Sequence, residues 1–253
     1  MRLSKKERHE LILSEIRTSA AIRISKLAKR IGVAGETIRR DLIELGEAGL
    51  LNRTYGGATI SLVTSEPTIL ERGLTLVEER ARIGRGAADL VEKGQVVMID
   101  GGSTTYEVSR NLVQFGRDLT IITNSIGIAS VAGGNPTFRV IMCPGLYDHR
   151  DGGVSGPDTV DYIGSYNADV TIIGASGVTL DGPSDLINGS VAVKRAMMGQ
   201  AHATILVATH DKFGRVSPQR ICKLSEISHV VTDGEPASGF RDAVQRGGGR
   251  LHV

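Results

Sequence analysis

The sequence predicts an α/β protein in two parts: an N-terminal winged helix-turn-helix domain and a larger, mostly parallel α/β domain. Three observations predict it. Residues 34–58 have helical periodicity with a basic face and end in a glycine pair. A stretch without any period, containing Pro67, follows. From there short apolar β-branched runs alternate with helix-like segments, the pattern of a parallel sheet covered on both faces.

Residues from Ser4 to about Arg17 read as a first helix with Leu11, Ile12 and Ile16 turned inward. Ser25 reads as the N-cap of a second helix ending at Ile31, with Leu27, Ala28 and Ile31 on its apolar side. Gly32 then supplies the left-handed residue that a tight turn needs. The next helix runs from Gly35 to about Ala48. Ile38, Leu42 and Leu45 form its apolar stripe, and Thr37, Arg40 and Glu44 lie on another face with Arg39 at its edge. Leu50 to Tyr55 reads as a strand and Gly56-Gly57 as a hairpin turn, the wing.

An arginine pair near the start of a short helix suits a DNA major groove, because Arg bonds guanine bidentately or clamps a phosphate. A lone pair of this kind is more often a solvated basic face. Here the preceding helix and turn and the following hairpin favour groove reading. The candidate DNA contacts are Ser25, Lys26, Ala34, Glu36, Thr37, Arg39, Arg40, Arg53 and Tyr55. Charge agrees: residues 1–58 hold 12 Lys or Arg against seven Asp or Glu, net +5, whereas the whole chain is +2.

Composition excludes several classes. No apolar run is long enough for a transmembrane helix, and the charged N-terminus lacks a signal-peptide core, so a cytoplasmic protein is expected. Cys143 and Cys222 lack metal spacing and read as buried thiols, and the six histidines lack metal spacing too. No metal or cofactor is expected. Without tryptophan and with few aromatics, single-strand binding by stacking is disfavoured. The expected organisation is a DNA-binding domain over residues 1–58, a linker over 59–76 in which Pro67 stops any helix, and an α/β effector domain over 77–253.

In the second part a charged helix from Val77 to about Val91 comes first. Strands are expected at 96–99, 119–123, 138–142, 170–174, 205–208 and 229–232. Helices are expected near 104–115, 125–132, 157–166, 190–202 and 238–246. Asp100-Gly101-Gly102-Ser103-Thr104-Thr105 is a strand end, a glycine turn and a helix start rich in hydroxyls. That is an anion site at the carboxyl edge of a sheet, or a capped β–α turn. It is neither a dinucleotide fingerprint nor a P-loop. Asn124 and Gly145 stand at further strand ends. Lys194 or Lys212 can add positive charge, although either alone is more often solvated. The candidate effector contacts are therefore Asp100, Gly101, Gly102, Ser103, Thr104, Thr105, Asn124, Gly145, Lys194 and Lys212.

Arg8, Ile12, Ile16, then Ala34-x-x-Thr37-Ile38-Arg39-Arg40-Asp41-Leu42, Gly49-Leu50-Leu51 and Gly56-Gly57-Ala58 resemble the N-terminal signature of the DeoR family of bacterial transcriptional regulators. Asp100 to Thr105, Thr123-Asn124-Ser125, Val193 to Met197, Lys212-Phe213-Gly214 and Thr232-Asp233 resemble its effector domain, which is similar in fold to ribose-5-phosphate isomerase. The chain departs from the family pattern at Ala34, Tyr55, Pro144-Gly145, Gly189-Ser190 and His210-Asp211. The resemblance implies a phosphorylated sugar or polyol as inducer.

The expected function is a DNA-binding repressor of a sugar or polyol catabolic operon, released from its operator by a phosphorylated sugar or polyol. Two half-sites per operator imply a homodimer at least, and the resemblance implies that a homotetramer suits as well. The competing class is a sugar-phosphate isomerase-like enzyme with an incidental N-terminal domain. It needs a base placed against a substrate carbon, and Asp100, Glu107 and Asp148 show no acid/base pairing in sequence, so no catalytic residue is assigned. RNA binding lacks any module signature.

Overall fold

The computed structural model describes residues 3–18, 21–47, 51–54, 57–60, 67–115, 118–186 and 188–253. The N-terminal part contains α1 (Lys5–Thr18), β1 (Ala21–Arg23), α2 (Ile24–Ile31), α3 (Gly35–Glu47), β2 (Leu51–Thr54) and β3 (Gly57–Ile60). The strands form an antiparallel sheet in the order β1–β3–β2. Ile12, Ile22, Leu27, Ile38, Leu42, Leu45 and Leu51 make one buried cluster, so the stripe expected on α3 is its inner face. Gly32 adopts φ +76° and its N–H bonds to the Ala28 carbonyl, closing α2 with the left-handed turn that only glycine adopts at no cost.

Two local expectations need correction. Leu11 is exposed at 41%, because α1 turns Ile12 inward and a neighbouring residue points roughly 100° away. Ser25 is not the cap of α2. The helix begins at Ile24 with Arg23, extended, at the N-cap and no side-chain cap. The cause is β1, a strand with no sequence signal. It pairs with β3 and delivers the chain directly into the helix. Gly57 belongs to β3, and the hairpin tip at Tyr55 and Gly56 lies outside the described residues.

Inside the stretch expected as linker, Thr68 caps a short helix, α4 (Ile69–Gly73). Its hydroxyl accepts from the Glu71 N–H, while the Glu71 carboxylate accepts from the Thr68 N–H. Pro67 therefore precedes a helix.

The large part contains α5 (Val77–Ala88), β4 (Val96–Ile99), α6 (Ser103–Leu112), β5 (Thr120–Thr123), α7 (Ile126–Ala132), β6 (Arg139–Met142), β7 (Leu146–Asp148) and β8 (Gly153–Ser155). Then come α8 (Pro157–Ile163), β9 (Ala168–Ile173), β10 (Gly177–Thr179), β11 (Gly182–Asp185), α9 (Asn188–Gly199), β12 (Ala201–Val207), β13 (Gln219–Arg220), β14 (His229–Val231), α10 (Phe240–Arg246) and β15 (Arg250–His252). Seven strands make a sheet in the order β15–β14–β12–β9–β4–β5–β6, and every pairing in it is parallel. Val97 and Ile99 face a cluster with α5, α6 and α7, while Met98 faces α8 and α9. Both faces are covered, which is why these strands read as unbroken apolar runs.

The chain enters the sheet at β4, in the middle. It winds outward through β5 and β6, returns to place β9 against the other side of β4, and winds outward again to β15. The winding reverses between β4 and β9, and a crevice forms beyond the carboxyl ends of strands at such a point. The hairpin β7–β8 and the antiparallel sheet β10–β11–β13 lie outside the main sheet. Cys143 and Cys222 are free and buried, and burial pushes their thiols up to about 11 and about 12. Among the described residues no helix is long and apolar enough to cross a membrane.

Candidate functional site

Two surfaces carry chemistry. On the N-terminal part, α3 opens with Ala34 accepting the first helical bonds, from Thr37 and Ile38. Arg39 and Arg40 leave 62% and 77% of their side chains exposed and are only loosely paired with Glu36, at 3.9 and 3.8 Å. With Ala34, Glu36 and the half-buried Thr37 they form the outer face of the first turns of α3. Ser25 and Lys26 are exposed at the start of α2. Glu44 differs from expectation: it turns to α1, where Lys5 Nζ lies 2.6 Å away. Arg53 lies on β2, and Tyr55 lies outside the described residues.

The second surface is the crevice at the winding reversal. Asp100 ends β4, and the Gly174 N–H beyond β9 donates to its Oδ1 at 3.1 Å. Gly101 and Gly102 then pass over the sheet edge into α6, whose first residues are Ser103, Thr104 and Thr105. This helix start has no side-chain cap, so its first N–H groups face the crevice. The cavity is lined by Gly101 to Thr105, Gly174 to Ser176, Val207 to Thr209, Arg72, Arg80, Asp151, Asp185, Lys194 and Lys212.

Lys194 lies on the cavity floor and is buried, against the expectation of solvation. Its ammonium donates to Ser190 Oγ at 2.6 Å and is ion-paired with Asp100 Oδ2 at 2.7 Å and Asp185 Oδ2 at 2.8 Å. Burial disfavours the ammonium, but the two carboxylates outweigh it and hold Lys194 charged. Asp185 ends low: burial raises it, and Lys194, the Ser176 hydroxyl and the Leu186 N–H more than offset that. Asp100 ends high, at about 6, because its complete burial outweighs Lys194 and the Gly174 bond. The ammonium is thus engaged on three sides within the protein. Lys194 therefore acts as a fixed charge beneath the cavity, and Asp100 as its buried support.

Other expected residues take different places. Asn124 donates to the Val154 carbonyl at 2.9 Å and accepts from the Gly101 N–H at 3.0 Å, which fastens the loop and leaves it to border a smaller neighbouring cavity. Thr105 is fully buried and donates to the Gly102 carbonyl at 3.0 Å. Gly145 does not line the cavity. Its φ is +146°, and a Cβ there would stand 2.1 Å from Thr159 Oγ1, so its role is close packing. Lys212 lines the cavity half-buried, on the short turn that follows β12. His210 is engaged by Asp233, at 2.6 Å from Nδ1.

Sequence reading missed Arg72, Arg80, Asp151 and Asp185. Arg80 had a usable signal. It falls in register with Ile83, Gly84 and Ala87 on the buried stripe of α5, where an arginine is out of place unless it serves a site. Arg80 donates to the carbonyls of Arg72 and Thr75. Arg72 sits in the segment read as linker and bonds Asp151 at 2.9 Å. Nothing in its neighbours announced that.

The arrangement is an anion cradle: helix-start N–H groups, the Ser103 and Thr104 hydroxyls, two guanidiniums and Lys212, above a buried ammonium. Both carboxylates nearest the floor are committed to Lys194, so neither is placed as a general base. Among the described residues no group of three His, Cys, Asp or Glu side chains is arranged to hold a metal.

Residues 8–62 match the DeoR-like helix-turn-helix domain, and residues 75–234 match the DeoR C-terminal sensor domain. The chain belongs to the DeoR family. It is similar to the glycerol-3-phosphate regulon repressor of Escherichia coli K12, 32% identical over 91% of each chain. It is similar also to the repressor GlcR of Bacillus subtilis, 31% identical over 98% of this chain and 95% of that one. The repressor AccR of Agrobacterium fabrum is 30% identical over 96% and 93%. These relatives are named as repressors and not as enzymes. As a DeoR family member the chain is a DNA-binding transcriptional regulator, and the helix-turn-helix with its wing precedes a sensor domain, as the sequence predicts. Among solved structures, ribose 5-phosphate isomerase A from Methanocaldococcus jannaschii aligns at TM-score 0.42, with 15% identity over 55% of each chain.

Proposed function

We propose that this DeoR family member represses a sugar or polyol catabolic operon and leaves its operator when a phosphorylated sugar or polyol fills the crevice between β4 and β9. The observation that carries this reading is the cradle itself, with Arg72, Arg80 and Lys212 around the uncapped start of α6. Helix-start N–H groups and guanidiniums together suit a phosphate dianion. That an Escherichia coli relative is named for glycerol 3-phosphate supports the ligand class. Arg39 and Arg40 would read the operator, with Ser25, Lys26, Ala34, Glu36, Thr37, Arg53 and Tyr55 around them. The working form is a cytosolic homodimer or homotetramer, since one small domain buries too little DNA surface for operator specificity.

The test is a gel shift on the intergenic DNA upstream of and beside the protein's own gene, at fixed salt, with excess competitor and a panel of sugar and polyol phosphates. A specific shift released by one phosphate ester, and not by the parent alcohol, is the expected result. No specific shift with any fragment would remove the repressor reading.

A further inference from the structure

The cavity volume is about 40 Å³, and its walls are held unequally. Gly101, Gly174 and Ala208 follow strands of the parallel sheet, Asp151 lies in the β7–β8 turn and Asp185 on β11, while residues 67–76 form a strap of α4 and its flanks. No α4 residue is buried, and Leu70 and Leu74 are 79% and 82% exposed. The strap is fastened by polar contacts: the Ile69 N–H to the Arg150 carbonyl at 2.8 Å, Arg72 to Asp151 at 2.9 Å, and Arg80 to the carbonyls of Arg72 and Thr75. A segment with little apolar burial opens first.

Arg72 and Asp151 also line the cavity. A phosphate dianion at the start of α6 presents several oxygens to the guanidinium that bonds Asp151, and it competes for that guanidinium with a larger charge. We propose that Arg72 is an effector-contact residue carried on a movable strap, and that phosphate binding transfers its guanidinium from Asp151 to the ligand. This rests on the crevice being the effector site. In chain order the strap follows β3 of the N-terminal sheet.

The chain has no tryptophan, so Leu70→Trp places a single fluorophore on the exposed face of the strap. In the full chain, emission and thermal melting are followed while glycerol 3-phosphate or inorganic phosphate is added. Three further variants share this background: Arg72→Gln, Asp151→Asn, and Ser103→Ala with Thr104→Ala. Expected are a saturable emission change with a rise in Tm in the parent, and loss of both in the Ser103/Thr104 variant. Arg72→Gln weakens binding about tenfold and loses the emission change. Asp151→Asn has the opposite sign and binds several times tighter, because the competing carboxylate is gone. That distinguishes it from loss of a structural contact and serves even if Arg72→Gln folds poorly. A Tm rise abolished by the Ser103/Thr104 change, without any emission change, and with Asp151→Asn binding like the parent or weaker, overturns the strap and leaves the effector site standing. No binding of either probe overturns the effector site, and the role of Arg72 with it.

Discussion

Arg8 on α1 and Asp41 on α3 form a two-point ion pair, Nε to Oδ2 at 2.7 Å and Nη2 to Oδ1 at 2.8 Å, across 33 positions of sequence. His9 Nε2 adds a third contact to Asp41 at 3.2 Å. Helix α3 is thus pinned to the first helix by a buried carboxylate. Asp41→Ala leaves Arg8 without that partner. A cost of about 2–3 kcal/mol is expected, between exposed and fully buried pairs. Urea denaturation of the N-terminal part measures it. The pH dependence has a definite sign. Burial raises Asp41, but Arg8 and His9 outweigh it and hold the carboxyl below its ordinary 3.8. The contribution is therefore present above the ordinary carboxylate range and is lost only as acid passes the lowered value.

Arg39→Ala with Arg40→Ala removes two exposed guanidiniums that support nothing in the fold, so the melting temperature should stay within about 1–2 °C of the parent. Operator affinity should fall by on the order of 100-fold, since each good base contact contributes about 1–3 kcal/mol. Phosphate-ester binding should be unchanged. A double variant that still shifts operator DNA at parental concentrations would move the DNA-reading role elsewhere on the surface.

The main sheet and the helix-turn-helix were legible because their signals are local. Ile38, Leu42 and Leu45 repeat with the helical period, and the six apolar runs are β-branched and continuous. What escaped depends on partners far away in sequence. β1 and β15 are three residues each and exist by pairing with β3 and β14. The Gly101–Thr105 loop was visible because glycine and hydroxyl residues cluster there. Arg72 and Asp151 lie 79 positions apart and have no meaning until the hairpin β7–β8 folds over the strap. Asp185, the acidic partner of Lys194, stands nine positions before it and belongs to no local motif.

Lys194→Met should be among the most damaging single changes in the large domain. It leaves Asp100 and Asp185 buried together without a cation, a situation that costs about 3–5 kcal/mol. Adding Asp185→Asn should restore part of that loss, so the double variant should melt above the single one. Thermal unfolding at neutral pH checks the order. A double variant that melts lower than Lys194→Met would show that the three side chains do not act as one charged unit.

Asp100→Asn tests the balance inside that unit through pH. The folded protein keeps the Asp100 proton up to about 6, whereas 3.8 is the ordinary value that the unfolded chain follows. A carboxyl raised on folding stabilises the folded state while it is protonated. That contribution is whole below the ordinary value and is lost as pH climbs through the folded one. Asparagine is neutral throughout, and Asp185 still holds Lys194 charged. The stability of the parent relative to the variant should therefore decline between about pH 4 and pH 7, by on the order of 3 kcal/mol, and level off above. Urea denaturation of both proteins at three pH values measures the decline. A gap that widens as pH rises would mean that attraction to Lys194 outweighs the burial of Asp100, and the carboxylate would then be a net support of the crevice floor at neutral pH.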